Sequence, residues 1–208
     1  MGKILLGAVG MLGLGSLMVA ALVQFGLLDF AADQPHAAVV HRLVEWAREQ
    51  SIARRAADVV RPADLSEAGR IRRGAGNYEA MCVSCHLAPG VEDSEIRKGL
   101  YPPPLDLARS VGATDSAATD GRRFWIIKHG IKGSGMPAWS KGGMDDEAIW
   151  DLTAFLKVLP ALSPAEYRSR VAASDGHSHE GMSEQHGQPK TQPSPAHHHS
   201  KPHAPHVH

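Results

Sequence analysis

The spacing of apolar and polar residues indicates a membrane segment at the start of the chain. Residues 4–28 contain no charged side chain, and these 25 residues could span the roughly 30 Å hydrocarbon core of a bilayer as a tilted helix. Lys3 before them and Asp29 after them favour a cytoplasmic amino terminus. We therefore predict a membrane anchor over residues 1–30. A cleaved secretory signal is the alternative, although DFAADQ is a poor cleavage site.

The next segment, residues 31–65, is predicted to be a connector that contains one helix. Residues 36–60 have helix-forming composition, with apolar side chains at near-helical spacing and four arginines mostly off that stripe. Such a helix could lie near the membrane or against a partner, or it could be a plain spacer. Its His36 and His41 are expected to be surface residues. RPADL at 61–65 then breaks the pattern and marks a domain boundary.

Residues 66–162 show the helical periodicity of a small folded domain. One helix is predicted to run from Ser66 into the stretch that holds the cysteines, and a second covers about 118–130. A third follows Asp145 as its N-cap and closes at Pro160. Four apolar residues share one stripe of the third helix: Ile149, Leu152, Phe155 and Leu156.

From Ser163 onward proline, serine and histidine dominate, and nine of the 13 histidines lie within 177–208. We predict that residues 163–208 form a disordered tail, because this composition cannot bury enough apolar surface to fold. Neutral imidazoles there could bind copper, nickel or zinc weakly. A purification tag and a functionally neutral extension are the alternatives. Three further residues are candidate auxiliary ligands: Glu180, Met182 and Glu184.

Composition and charge narrow the functional classes. The formal net charge is zero, so nothing suggests a nucleic-acid-binding protein. Only 5% of the residues are aromatic, which is low for a core of this size, and a buried cofactor would supply apolar volume. Cys82 and Cys85 are the only cysteines, and His86 follows them directly in MCVSCH.

The C-x-x-C-H pattern has four explanations. A structural zinc site usually needs two ligand pairs, and the folded part offers only His86 and the isolated His129. A disulfide or redox pair needs only the two cysteines, but the strand–turn–helix setting of such motifs is missing. The third explanation is chance. The pattern favours the fourth, covalent haem attachment, in which Cys82 and Cys85 form thioethers and His86 binds the iron.

A haem held in this way needs a second axial ligand, for which Met136 is the favoured candidate. It lies between glycine and proline in GSGMPAW, outside any predicted helix, and a thioether suits haem iron. Met144 and His129 compete for the role, whereas Met81 adjoins Cys82 on the attachment side. Two protein ligands would leave no open iron position and so predict electron transfer rather than catalysis. A vacant second position would instead predict a peroxidase-like or gas-binding protein.

With both motifs in place, the stretch from about 68 to 160 resembles a class I cytochrome c, especially the small bacterial domains of the cytochrome cbb3-subunit type. The matching pieces are GAGNYEAMCVSCH, GLYPPPLDLA, FWIIKHGIKGSGMPAW and DDEAIWDLTAFLKVLP. The resemblance implies an all-α class I cytochrome c domain with one covalent haem c, here behind an N-terminal transmembrane helix and before a disordered tail. It also implies that Gly74 and Tyr78 meet Leu152 and Phe155 where the first and last helices cross.

The resemblance carries two further expectations. A proline carbonyl, from Pro102, Pro103 or Pro104, would accept the ring N–H of the proximal histidine, and Trp139 would pack beside the methionine loop or serve as ordinary core. The haem domain would lie on the periplasmic side of the inner membrane, because haem is attached covalently outside the cytoplasm.

Charge near the methionine suggests the kind of partner. Between residues 121 and 141 there is no acidic side chain, and a basic ring there would steer an acidic redox protein to the site, unless it is only a solvated face. We expect a carrier between respiratory or dehydrogenase partners, not an enzyme with a small-molecule substrate. The alternatives are a fixed haem subunit of a membrane oxidoreductase and a metal-responsive protein with an accessory haem. The basic residues are Arg122, Arg123, Lys128, Lys132 and Lys141.

Overall fold

The computed structural model of the chain describes residues 2–109 and 116–177. Its first helix, α1 (Gly2–Gln24), covers most of the predicted membrane segment at residues 4–28 and ends four residues before that segment does. Among the described residues it is the one helix long and apolar enough to cross a membrane, and none of its side chains is buried against the protein. These properties fit a membrane anchor, and a signal sequence near the amino terminus shares them.

The other elements of the described residues are also helical. No strand is present in these ranges, and the predicted all-α fold is confirmed. A 3₁₀ turn at Leu159–Ala161 directly follows the helix that ends at Val158. The seven further helices are α2 (Ala38–Ala56), α3 (Ala68–Met81), α4 (Val83–His86), α5 (Glu95–Lys98), α6 (Ala117–His129), α7 (Asp146–Val158) and α8 (Pro164–Ala172).

The core is centred on the contact between α3 and α7. Gly74 allows the two backbones to approach, because a Cβ at this position would overlap the carbonyl group of Asp151. One turn further along α3, the Tyr78 ring lies 5.5 Å from the ring of Phe155. Both aromatic side chains are fully buried, and they belong to the same apolar cluster as Leu152. The expected packing of α3 on α7 is therefore present.

Helix α6 packs on α7 through stacked aromatic rings and a buried carboxylate. The ring centroids of Phe124 and Trp150 are 4.2 Å apart. Asp120 on α6 is fully buried, which is tolerated because basic groups surround it. Its carboxylate accepts hydrogen bonds from Arg61 at 3.2 Å and from Lys157 at 3.1 Å, and Arg123 lies 3.4 Å away. The end of the connector is thus tied to both helices.

The predicted start of the disordered tail at residue 163 is wrong. Ser163 and Glu166 form a capping box that begins α8, with Pro164 in its first turn. Tyr167 of this helix is buried, and its hydroxyl donates a hydrogen bond to Glu79 on α3 at 2.5 Å. A few apolar contacts, made mainly by Tyr167 and Val171, and a good cap suffice for a short docked helix, which a search for long periodicity misses. Residues 178–208, with most of the tail histidines, lie outside the described residues.

Candidate functional site

The two cysteines and His86 occupy a single turn. Helix α3 ends at Met81, and the backbone N–H groups of Cys85 and His86 both donate to the carbonyl of Cys82, at 3.2 and 2.8 Å. This tight turn forms α4 and brings the two cysteines and His86 together in one helical turn. Neither thiol is in a disulfide.

The environment of Cys82 argues against a thiolate redox pair. Burial, together with the neighbouring Cys85, raises the pKa of the Cys82 thiol to about 12. Reactive redox cysteines show the opposite behaviour, a pKa lowered by nearby positive charge or by a helix N-terminus. Unmodified Cys82 is thus a neutral, apolar thiol in the wall of the protein.

The His86 ring is held in one orientation by a backbone carbonyl. Its Nδ1–H donates to Leu105 O at 2.8 Å, so the lone pair lies on Nε2. Burial lowers the pKa of His86, the bond to Leu105 opposes this shift, and the nearby charge of Arg97 adds to it. The ring is therefore neutral near pH 7 and has the form in which imidazole binds a metal ion.

The expectation that a proline carbonyl supports His86 is wrong. The acceptor is the residue after the third proline, Leu105. The carbonyl of Pro104 already accepts a hydrogen bond from Arg97 Nε at 3.0 Å, and Pro102 and Pro103 are exposed. Sequence reasoning missed Leu105 and Arg97 because every residue carries the same carbonyl, so no side-chain pattern selects one.

Helix α5 fixes the segment that carries this carbonyl. Arg97 binds Asp93 at 3.1 Å as well as Pro104 O, and Ser94 caps the helix by accepting from Arg97 N. The Ser94 hydroxyl also donates to Ser84 O, between the two cysteines, at 2.5 Å. These bonds connect the segment after α5 that carries Pro104 and Leu105, which we call the proximal loop, directly to the cysteine turn at residues 82–86.

Met136 lies on a loop whose glycines have a structural reason. The N–H of Ile131 donates to Met136 O at 3.1 Å, and Met136 N donates to the Ser134 hydroxyl at 3.1 Å. Gly130 closes this loop with φ +65°, and a Cβ there would lie 2.6 Å from the carbonyl carbon of Pro137. The Met136 side chain is half-buried and packs against the edge of the core.

The methionine loop is attached to α6 and touches the proximal loop. Trp139 N donates to Ile127 O at 3.2 Å, and the Ser140 hydroxyl donates to Lys128 O at 2.7 Å. Leu100 packs over Gly135, where a Cβ would lie 2.7 Å from the leucine δ-carbon. The loop whose carbonyl accepts the hydrogen bond from His86 is therefore in contact with the loop that carries Met136.

The competing ligand candidates have different surroundings. Met144 is only 3% exposed and belongs to the apolar core, and its N–H donates to Trp139 O at 3.1 Å. His129 is exposed at the end of α6, with its ring 4.8 Å from that of Trp125. Met81 is half-buried beside Cys82, on the attachment side. Of the three methionines, Met136 is the one on a loop at the border of the core.

These residues fit a planar apolar cofactor better than a bare metal ion. Across residues 2–109 and 116–177, no group of three or more His, Cys, Asp or Glu side chains could hold a metal ion, so the zinc alternative gains no support. Half-buried apolar side chains instead lie against the core near both loops. They include Val83, Leu107 and Trp139. Two thiols, a neutral imidazole and a thioether beside this apolar surface are the donor types that a covalently attached haem would use.

The basic residues near Met136 do not form the expected continuous ring. Arg122 binds Glu49 at 2.5 Å, and Lys128 binds Asp146 at 2.6 Å. Arg123 forms an ion pair with the buried carboxylate of α6. Lys132 and Lys141 are exposed, and neither forms an ion pair with the described residues. The positive charge available to a partner is thus smaller and closer to the methionine loop than the sequence suggests.

Comparison with known proteins agrees with this geometry. Residues 69–156, less than half of the chain, match the family model described as cytochrome C oxidase, cbb3-type, subunit III. The matched range contains the cysteine turn, the proximal loop, the methionine loop and most of α7. No curated protein and no solved structure matches the chain.

Proposed function

Because the chain carries a c-type cytochrome domain of the cbb3-subunit kind in residues 69–156, we propose that it is a one-electron carrier with a single covalent haem c. The observation that carries this proposal is the C-x-x-C-H turn, in which a carbonyl holds the His86 ring and leaves Nε2 as a metal ligand. A cytochrome c domain implies covalently bound haem and haem-based electron transfer.

We assign four residues to the haem. Cys82 and Cys85 would form the thioether bonds, and His86 and Met136 would bind the iron. When bound in this way, haem iron exchanges one electron, and the methionine ligand raises its reduction potential. Leu105 orients the His86 ring and increases its basicity as a ligand. Met136 packs against the edge of the apolar core, and this contact would help to hold its thioether at the iron.

The proposal assigns no catalytic residue. With both His86 and Met136 bound to the iron, no iron position would be open to a substrate. The chain then acts as an electron carrier, and a peroxidase-like or gas-binding role would require Met136 to dissociate. Lys132 and Lys141 next to the methionine loop are the positive charges that we assign to docking an acidic redox partner.

We propose that α1 stays uncleaved and tethers the haem domain to the inner membrane on its periplasmic side. A tether keeps the domain at high effective concentration near membrane partners of a respiratory chain. The alternative is a fixed subunit of a membrane oxidoreductase, which the description of the matched family favours, since it names an oxidase subunit. Native sizing after detergent extraction separates them: stoichiometric co-purification with a large complex at high salt supports the subunit.

Weak binding of copper, nickel or zinc by the histidine-rich tail is a separate, secondary proposal. It is supported by the density of histidines in residues 177–208. Its role would be to make the carrier responsive to metal. The tail would not contribute to the haem site.

Haem staining after denaturing electrophoresis tests the main proposal. Thioether bonds survive denaturation, so the wild-type chain should stain at its own mass. Cys82→Ala and Cys85→Ala should each weaken the stain, because one thioether is lost, and the double variant should abolish it. Staining of the double cysteine variant, or an unstained wild-type chain, would disprove covalent attachment at this turn.

A further inference from the structure

Helix α2 has two faces with different surroundings. Toward the domain, Ile52 and Ala56 are buried, and His41 and Glu49 are half-buried. Away from it, five apolar side chains in the first half of the helix are between 46% and 73% exposed. They are Val39, Val40, Leu43, Val44 and Trp46, which we call the outer stripe.

The inner face of α2 is attached to the domain near both ends. At the amino-terminal end, the rings of His36 and His41 lie 5.6 and 6.3 Å from the ring of Tyr101, in the loop that leads to the His86 support. At the other end, Glu49 binds Arg122 on α6, and a Cβ at Gly121 would lie 3.3 Å from Ala56 O. Helix α2 therefore moves with the haem domain rather than as a free linker.

The connection to α1 limits how far α2 can lie from a bilayer. Helix α1 ends at Gln24 and α2 begins at Ala38, so the link contains only residues 25–37. Even fully extended, this link spans at most about 45 Å. Its apolar residues Phe25, Leu27, Leu28 and Phe30 are themselves exposed, which favours a path along the membrane surface.

Charge complementarity identifies the surface that the outer stripe fits. Arg42 lines the same shallow groove as Val39, Leu43 and Trp46. Arg42 and Arg54 are exposed, and neither forms an ion pair in the described part of the chain. A stripe of valine, leucine and tryptophan bordered by unpaired arginines is typical of a helix that lies at the headgroup level of an anionic bilayer.

We propose that α2 lies in the interface of an anionic bilayer with its outer stripe inserted, and so holds the haem domain at one fixed orientation to the membrane. This inference rests on the proposed tether by α1. Because the inner face of α2 contacts both α6 and the loop before Leu105, a fixed α2 also fixes the plane of the haem. The carrier then presents the same haem edge to every membrane partner.

The test is the linear dichroism of the haem absorption band of the full haem-loaded chain in oriented bilayers of phosphatidylcholine with phosphatidylglycerol. The wild-type protein should show clear dichroism, which should weaken in phosphatidylcholine alone. The double variant Val39→Glu/Leu43→Glu adds two negative charges to the outer stripe and should lose most of the dichroism. Arg168→Glu changes the net charge by the same amount at an exposed position of α8 and should behave as wild type.

Several results would overturn the proposal. These are an isotropic wild-type signal, unchanged dichroism in Val39→Glu/Leu43→Glu, and equal dichroism in both lipids. A size change from dimer to monomer in the double variant would make a second copy the occupant of the stripe instead. Flotation with vesicles is measured first: a chain that does not float refutes the tether, whereas one that floats without haem order refutes only the role of α2.

Quenching by brominated lipid gives a second measurement that needs no charge substitution. Trp46 is 63% exposed on the outer stripe, so wild-type emission should contain a component that brominated phosphatidylglycerol quenches. Trp46→Phe should remove that component and leave the haem spectrum unchanged. Equal quenching of both proteins would contradict insertion of the stripe.

Discussion

Replacing Gly74 by alanine tests the close approach of α3 and α7 directly. The added Cβ would overlap the carbonyl of Asp151 and lie 2.8 Å from the Cβ of Phe155. Neither neighbour can move away by a side-chain rotation, because one is backbone and the other is attached to it. The two helices must therefore separate, and the packing of the Tyr78 ring on Phe155 must loosen with them.

The expected magnitude follows from two opposing terms. Overpacking in a core costs about 1–3 kcal/mol and occasionally more, and overlap with backbone belongs at the upper end. Alanine is better than glycine inside a helix by about 1 kcal/mol, which offsets part of the loss. We expect the free energy of unfolding to fall by about 2 kcal/mol. The urea midpoint should then fall by roughly 1 M, if the slope is about 2 kcal/mol/M.

The assay is urea unfolding in mild detergent, followed by tryptophan fluorescence and by the haem absorption band. Gly69→Ala on the same helix is the matched control, because the nearest atom to its new Cβ is a mobile guanidinium nitrogen of Arg73 at 3.5 Å. That variant should be as stable as wild type or slightly more stable. Equal midpoints for the Gly74 and Gly69 variants would refute the close approach as the reason for glycine.

Three other predictions concern the ligand, a buried charge and the tail. Met136→Leu should remove the weak long-wavelength band of methionine-ligated ferric haem and lower the reduction potential. Met144→Leu, a volume-conserving core change, should leave both unchanged. An unchanged band in the Met136 variant would exclude Met136 as the iron ligand. Asp120→Asn should reduce the free energy of unfolding by about 3 kcal/mol, because its basic partners lose a buried counter-charge. The same change at exposed Asp146 should cost less than about 1 kcal/mol. Similar losses in the two variants would show that burial of the carboxylate does not matter. Truncation after His177 keeps α8 and should abolish the copper and zinc binding that calorimetry measures. In the full-length chain this binding should weaken below about pH 6, because the imidazoles become protonated. Equal binding by the full-length and truncated chains would mean that the tail holds no metal.

Elements with strong local signals were predictable. Asp145 caps α7 as expected, by accepting from Ala148 N at 2.8 Å, and the predicted stripe residues Ile149, Leu152 and Phe155 are buried. The predicted helix at about 118–130 is α6. These features depend on residues three or four apart, which the sequence places next to each other in any helix.

The short α8 helix shows where local pattern fails. Its capping box was visible at Ser163 and Glu166, but it has a single buried aromatic, Tyr167. Whether such a segment is ordered depends on the surface that it can dock on. Here that surface is α3. The Tyr78 ring contacts the Tyr167 ring, and Glu79 accepts a hydrogen bond from the Tyr167 hydroxyl.

The sequence by itself determined the chemistry that this chain can carry: an apolar first segment, two thiols and an imidazole within one turn, and a thioether between glycine and proline. Tertiary structure alone decided which carbonyl holds His86 and which basic residues keep their charge free. Arg122 is neutralised by Glu49, 73 positions away in the chain, and Lys128 by Asp146, 18 positions away. The physical reason is that hydrogen bonds and ion pairs act over a few ångströms between any groups that packing brings together, whatever their separation along the chain.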